Sequence, residues 1–221
     1  KRLIHYDDSR GEEGLKEVLN LLRKGESVAL VSDAGMPFIS DPGHLLIKAS
    51  EEEGFKLEVL PGPSAFINAW VHAGMGGPFS FFGFLPRKKG ELLARLSELK
   101  SHKEALIFYE APHRLQKTLE AIEGVFGERK LVIARELTKK FEEVIRTTTT
   151  QSLEWLKNGT IKGEFSLVVE GAKEEKLQEK SIEEELQEYM DMGMSKKDAV
   201  KIVSQERNLP KREVYQVSLD L

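Results

Sequence analysis

The residues Ser32-Asp33-Ala34-Gly35-Met36-Pro37-Phe38-Ile39-Ser40-Asp41-Pro42-Gly43 join small, acidic and turn-forming side chains directly after the apolar run Val28-Ala29-Leu30-Val31. An apolar run that breaks in this way reads as a buried strand ending in a tight loop. Open α/β sheets bind small molecules beyond the carboxyl ends of their strands, where a loop without bulky side chains lets backbone groups reach the ligand. Lys56 to Leu60 then alternates and stops at Pro61-Gly62-Pro63-Ser64-Ala65. Ser64 can cap a helix beginning at Ala65, so that its N–H groups face the same crevice. Either turn alone is ordinary punctuation. Two at successive strand ends point to a site.

Further strand ends carry groups able to move protons. Glu110 and His113 follow the apolar run from Ala105, and Glu136 follows Leu131 to Ala134. A carboxylate or an imidazole there suits general acid–base work, although a histidine after a helix-opening proline is equally a surface or capping residue. Arg135 and Glu136 are consecutive, so one can face the crevice while the other points away; a structural ion pair is the alternative. Phe81, Phe82 and Phe84 offer stacking for an unpaired base or, as alternating strand aromatics, core, with two of the three inside.

In register along nearly the whole chain, the Ser32 to Gly43 loop, Pro61 to Ala65, Phe82-Gly83-Phe84-Leu85-Pro86-Arg87-Lys88, Tyr109-Glu110-Ala111-Pro112-His113-Arg114, Ala134-Arg135-Glu136-Leu137-Thr138-Lys139 and Gly163-Glu164-Phe165 form one set. By these motifs the chain resembles the tetrapyrrole methylase superfamily of S-adenosylmethionine-dependent enzymes, and within it the ribosomal RNA small subunit methyltransferase I family. The resemblance implies methyl transfer from S-adenosylmethionine to the ribose 2′-hydroxyl of a cytidine in small-subunit (16S) ribosomal RNA. It places the donor against Ser32, Asp33, Ala34, Gly35, Ser64, Ala65, Tyr109, Arg135, Gly163, Glu164 and Phe165. Asp33 is the main polar anchor, though an Asp there also caps turns. Tyr109 packs beside the adenosine or is core with a wet hydroxyl. Arg87, Lys88, Arg114 and Lys139 are the RNA candidates, Arg87 and Arg114 as phosphate forks. The catalytic candidates are Glu110, His113 and Glu136, with no metal needed for an in-line displacement. Two positions depart from the family: it usually has threonine where Met36 sits and glycine where Phe38 sits. Its opening strand and Gly-rich loop would precede Lys1.

The elements that must position these groups follow from periodicity. Glu12 to Leu22 has helical spacing closed by Gly25; a second helix follows Asp41-Pro42, with Pro42 in its first turn, and ends at Gly54. Helices alternating with the runs at Val28 and Lys56 predict a parallel sheet with right-handed crossovers. Gly74-Met75-Gly76-Gly77-Pro78 reads as a hinge. Beyond it, strands are expected at Phe79 to Phe84, Ala105 to Tyr109, Leu131 to Arg135, Phe141 to Thr149 and Phe165 to Glu170, with a helix from Pro112 to Phe126. The fold class is therefore α/β: two α/β domains of the tetrapyrrole methylase type, residues 1–76 and a mixed-sheet 77–172, with a ligand cleft between them. Residues 173–221 read as a helical tail whose acidic first half favours packing or dimerisation.

Composition sets the outer limits. The 221 residues are 40% hydrophobic and 32% charged, without cysteine, which excludes disulfides and thiolate metal sites. The net charge of −4 argues against bulk coating of nucleic acid, but Arg87, Lys88, Lys89, Arg95, Lys100 and Lys103 cluster as an RNA patch or a solvated helix face. No run reaches the roughly 18 apolar residues of a membrane helix. A cytoplasmic homodimer acting on small-subunit ribosomal RNA, or on the small ribosomal subunit, is the reading. The alternatives are a methyltransferase for tetrapyrrole precursors and a non-catalytic RNA-binding or assembly module.

Overall fold

The computed structural model describes residues 2–8, 12–159, 161–173 and 181–220. They form two compact units, Lys1–Ala172 and Lys173–Leu221.

The first unit opens with helices α1 (Glu12–Arg23), α2 (His44–Glu52) and α3 (Ala65–Ala73). The expected strands at Val28 and Lys56 are absent: both runs are extended without a ladder, leaving Val31 78% and Leu60 75% exposed. An extended segment becomes a strand only when a neighbour completes its hydrogen bonds, and among the described residues neither run has one. The parallel ladder expected of this region is not formed among the described residues. Pro42 lies outside α2, whose N-cap is Gly43 at φ 138°. The role expected of Pro42 is taken by Asp8, whose Oδ2 accepts the Gly43 N–H at 3.0 Å. Tyr6 donates to the other Asp8 oxygen at 2.9 Å, and burial together with that bond pushes the Tyr6 hydroxyl up to about 12.

The sheet lies beyond the Gly74 to Pro78 segment. Its strands are β1 (Phe79–Phe84), β2 (Ala105–Glu110), β3 (Lys130–Arg135), β4 (Glu143–Thr148) and β5 (Phe165–Val169), in the order β1-β2-β5-β3-β4. Of the four pairings among the described strands only β1 with β2 is parallel; β5 inserts antiparallel between β2 and β3, and β4 pairs antiparallel with β3. The mixed sheet is as expected. Both faces are covered, which explains why Ala105 to Phe108 of β2 and all of β5 are buried without alternation. On one face Leu106, Phe108, Ile133 and Leu167 pack with Leu96, Leu115, Leu119 and Ile122 of α4 (Lys89–Leu99) and α5 (Pro112–Phe126). On the other, Ile107, Val132 and Val168 meet Ala69, Phe66 and Trp70 of α3.

The β-branched run that predicts a strand to Thr149 stops at Thr148, whose hydroxyl accepts the Gln151 N–H at 3.2 Å and opens α6 (Thr149–Asn158). The second unit contains α7 (Ile182–Asp191), α8 (Lys196–Glu206) and α9 (Lys211–Val217), packed through Leu186, Ala199, Val203 and Val214. Ser195 caps α8 by accepting the Asp198 N–H, and Ser181 with Glu184 makes a full capping box on α7.

Candidate active site

Tyr109, near the end of β2, is where the candidate segments meet. Its hydroxyl accepts the Phe66 N–H of α3 at 3.1 Å, satisfying one of the orphan donors that every helix start leaves. Ser64 was expected to do this, but its side chain makes no capping bond. The Tyr109 ring packs edge-on against Phe81 at 4.8 Å and Phe84 at 5.7 Å. Burial raises the phenol above its ordinary range; the Phe66 N–H opposes this, and the negative charges of Asp41 and Glu164 add to the rise. One side chain thus ties the α3 start to β1, on a strand residue paired with Ser166 of β5.

Close backbone contacts confirm that the turns converge. The Met36 N–H donates to the Pro63 carbonyl at 2.9 Å, and a Cβ on Gly35 would stand 3.1 Å from that same oxygen. Ser40 lies as close to Gly83 of β1, its Oγ 3.1 Å from where a Cβ would sit. The loop backbone is strained, with Phe38 at φ 73° and Ser40 at φ 62°, a left-handed conformation that L-residues enter at a cost and that clusters at functional sites. Phe38 stands where the resemblance expects glycine, and the backbone adopts a conformation that glycine takes freely. Ser32 donates to the Gly35 carbonyl at 3.0 Å. Asp33, Ala34 and Gly35 are exposed.

A second strained loop follows β3, with Glu136 at φ 49° and Thr138 at φ 64°. It is stitched to the Lys162 to Glu164 segment. The Arg135 Nε donates to the Lys162 carbonyl at 2.7 Å, the Glu136 N–H to the Glu164 carbonyl at 3.0 Å, and the Glu164 N–H to Glu136 Oε1 at 3.0 Å. Lys139 Nζ bridges Glu136 at 3.2 Å and Glu164 at 3.0 Å. The Glu164 N–H is the main cause that holds the Glu136 carboxyl below the usual carboxylate range, with Lys139 and Arg135 contributing; Glu164 and then Glu136 raise Lys139. Arg135 pairs with Glu143 at 3.2 Å, not with Glu136. Phe165 is core, 2% exposed.

Two candidates turn inward. Glu110 is 2% exposed and accepts from Thr118 Oγ1 at 2.5 Å, the Ala111 N–H at 2.8 Å and Arg114 Nε at 3.3 Å. Its carboxylate anchors the start of α5. Arg114 also donates to the carbonyls of Leu85 at 2.8 Å and Pro86 at 2.9 Å, bracing the turn that presents Arg87 instead of holding out a free fork. Arg87 and His113 are exposed, and Lys88 pairs with Glu91 at 3.0 Å. Phe81 and Phe82 pack on the two faces, against Phe66 and Phe108, while Phe84 is 55% exposed beside Tyr109. Ser80, His102 and Glu104 also cluster, but the serine at 3.1 Å and the carboxylate at 3.4 Å meet the same ring nitrogen, Nε2. A nucleophilic relay needs one partner on each nitrogen.

Residues 6–153 match the family of Tetrapyrrole (Corrin/Porphyrin) Methylases. The chain is similar to the ribosomal RNA small subunit methyltransferase I of Bacillus subtilis (strain 168), 41% identical over 96% of this chain and 76% of that protein. The Synechocystis protein of the same name is 38% identical over 99% of this chain and 80% of its own length. Among solved structures, the methyltransferase CobJ aligns with a TM-score of 0.55 at 22% identity, covering 76% of this chain and 72% of that one. Uroporphyrin-III C-methyl transferase from Thermus thermophilus, complexed with S-adenyl homocysteine, aligns at 0.52 and 13% identity, covering 72% and 73%. These two show the fold alone. With its turns gathered about Tyr109 and its similarity running nearly end to end, the chain belongs to the tetrapyrrole methylase family and, within it, to the ribosomal RNA small subunit methyltransferases I.

Proposed function

We propose that this chain binds S-adenosylmethionine at the turns gathered around Tyr109 and catalyses methylation of a cytidine ribose 2′-hydroxyl in small-subunit ribosomal RNA. The observation that carries the reading is the convergence of the turns: the Ser32 to Gly43 loop bonds Pro63 and abuts Gly83 of β1, and Tyr109 ties the α3 start to the same strand. The residues fit the donor. The exposed backbone of Asp33 to Gly35 passes close to Pro63, the α3 start offers N–H groups that Ser64 leaves uncapped, and Tyr109 presents a ring with a neutral hydroxyl. S-adenosylmethionine, when bound, supplies an electrophilic methyl group on a sulfonium.

The protein's part is positioning, which can supply several kcal/mol of the barrier reduction. Ser32 to Gly35, Ser64-Ala65 and Gly163-Glu164 form the donor's walls. Arg135 holds the Lys162 to Glu164 wall in place. Phe84 offers its exposed face to a base, and Arg87, aimed by Arg114, and Lys88 take phosphates. Lys139 balances Glu136 and Glu164 while remaining within reach of RNA. A ribose hydroxyl is a weak nucleophile until its proton starts to leave. Glu110 is enclosed and Glu136 is tied to Lys139 and the Glu164 N–H, which leaves His113 as the exposed candidate for proton acceptor.

The division into domains at residues 76 and 77, a ligand cleft between them, a homodimer and a cytoplasmic place of action belong to the same proposal. The two halves differ in build: every strand lies between Phe79 and Val169 among the described residues. No helix is long and apolar enough to cross a membrane among the described residues. The test is transfer of labelled methyl from S-adenosylmethionine to small ribosomal subunits, followed by nuclease digestion. Label on a cytidine ribose is expected. Transfer to a uroporphyrin-type acceptor instead, or no donor binding by calorimetry, overturns the reading.

A further inference from the structure

The second unit is electrically two-sided. Helix α7 carries Glu183, Glu184, Glu185, Glu188 and Asp191 and no basic residue, whereas Ser195 to Val217 holds six basic residues against three acidic ones. Four of the six line one groove between α8 and α9, of about 580 Å³: Lys197, Lys201, Lys211 and Arg212, with Tyr215 and Val200. None of the four has a salt-bridge partner among the described residues. Lys197 and Lys201 are one helical turn apart on α8 and share a face.

The groove is built. Two bonds lock the turn joining the helices: the Leu209 N–H donates to the Ser204 carbonyl at 3.0 Å and Ser204 Oγ to the Leu209 carbonyl at 2.9 Å. Lys196 ties α8 to the chain after α9 through the Ser218 carbonyl at 2.8 Å. The other two basic side chains, Lys196 and Arg207, are thus spent on structure, Arg207 in a two-pronged pair with Glu185 at 2.9 and 3.1 Å. Asp198 is the acid in the lining, and its Oδ2 accepts the Ser195 hydroxyl at 2.5 Å.

Four cations with no ion-pair partner among the described residues, set against the one acid of the lining, suit a polyanion's repeating charge. Tyr215, 52% exposed, adds an aromatic face among those cations, the combination used to hold single-stranded nucleic acid. We propose that the α8–α9 groove is a second RNA-binding surface, which seats the backbone of a single-stranded segment on Lys197, Lys201, Lys211 and Arg212 and stacks a base on Tyr215. It rests on the RNA reading above and adds a contact outside the methylase fold. The acidic α7 repels the same strand and so restricts where RNA can lie.

The test uses the full chain and a Lys201→Gln/Arg212→Gln variant, with a mixed-sequence single-stranded RNA oligonucleotide and, separately, small ribosomal subunits. Loss of two phosphate contacts is expected to weaken oligonucleotide binding about tenfold or more and to reduce the slope of log K against log salt by about 2. S-adenosylmethionine affinity should stay that of the parent, and Lys48→Gln on α2 should leave the RNA slope unchanged. Tyr215→Ala should weaken binding without changing the slope. If the double variant keeps the parent's affinity and slope while the parent methylates RNA, this inference falls and the methyltransferase reading stands. If the variant binds oligonucleotide as the parent does but loses the subunit, the groove takes a protein and the inference also falls. If the parent neither binds nor methylates RNA, both fall.

Discussion

A Cβ atom on Gly163 would lie 2.5 Å from the carboxyl carbon of Glu136, so the wall formed by Gly163 and Glu164 can close on the β3 loop only while position 163 has no side chain. Gly163 also sits at φ 91°. Gly163→Ala is therefore expected to push Glu136 off the Glu164 N–H, at a cost of about 1–3 kcal/mol in stability. Donor affinity should fall with it. Thermal unfolding and calorimetry with S-adenosylmethionine check both.

The Glu136–Lys139–Glu164 cluster gives a pH signature. Glu136 ionises at lower pH folded than unfolded, so its stabilising contribution is complete above the unfolded carboxylate value, about 4.3, and is lost as pH falls through the folded value. Lys139 is raised; its contribution is complete below the unfolded lysine value, about 10.4, and is lost as pH rises through the folded value. Glu136→Gln should flatten the acid limb of unfolding midpoint against pH. An unchanged acid limb would remove Glu136 from the account.

Phe38 tests the strain in the donor loop. Its left-handed backbone, φ 73°, disfavours any side chain, and its ring, 44% exposed, lies tilted against His44 at 5.8 Å. Phe38→Ala removes the ring and keeps the strain, whereas Phe38→Gly removes both. The glycine variant should be the more stable of the two by about 1 kcal/mol, read from denaturant midpoints. Equal midpoints would mean that the loop refolds around either residue.

Arg114 and Arg87 should separate structure from recognition. Arg114→Ala leaves the buried Glu110 carboxylate without its cation and frees the Leu85 and Pro86 carbonyls, a loss of about 3 kcal/mol. Arg87→Ala touches no internal bond among the described residues. It should spare stability and donor affinity while lowering the RNA salt slope by about 1. Equal RNA slopes for Arg87→Ala and parent would take Arg87 off the contact surface.

Local signals in the sequence were good guides where the chain decides its own conformation. Helix α5 has its expected bounds because Pro112 fits a first turn and Gly127, at φ 67°, ends the last. The reading erred where a partner distant in sequence decides. Ser64 looks like a cap, but the hydroxyl that meets the α3 start comes from Tyr109, 43 residues beyond Phe66. Glu110 looks reactive at a strand end until Thr118 and Arg114 close over it. The four threonines from Thr147 to Thr150 have β propensity throughout, yet Thr148 spends its hydroxyl on a helix start and divides them.

The two extended runs at Val28 to Val31 and Lys56 to Leu60 have a further consequence. Backbone that has no ladder partner among the described residues opens to solvent more readily than backbone held in a sheet. Their amides are expected to exchange with deuterium first.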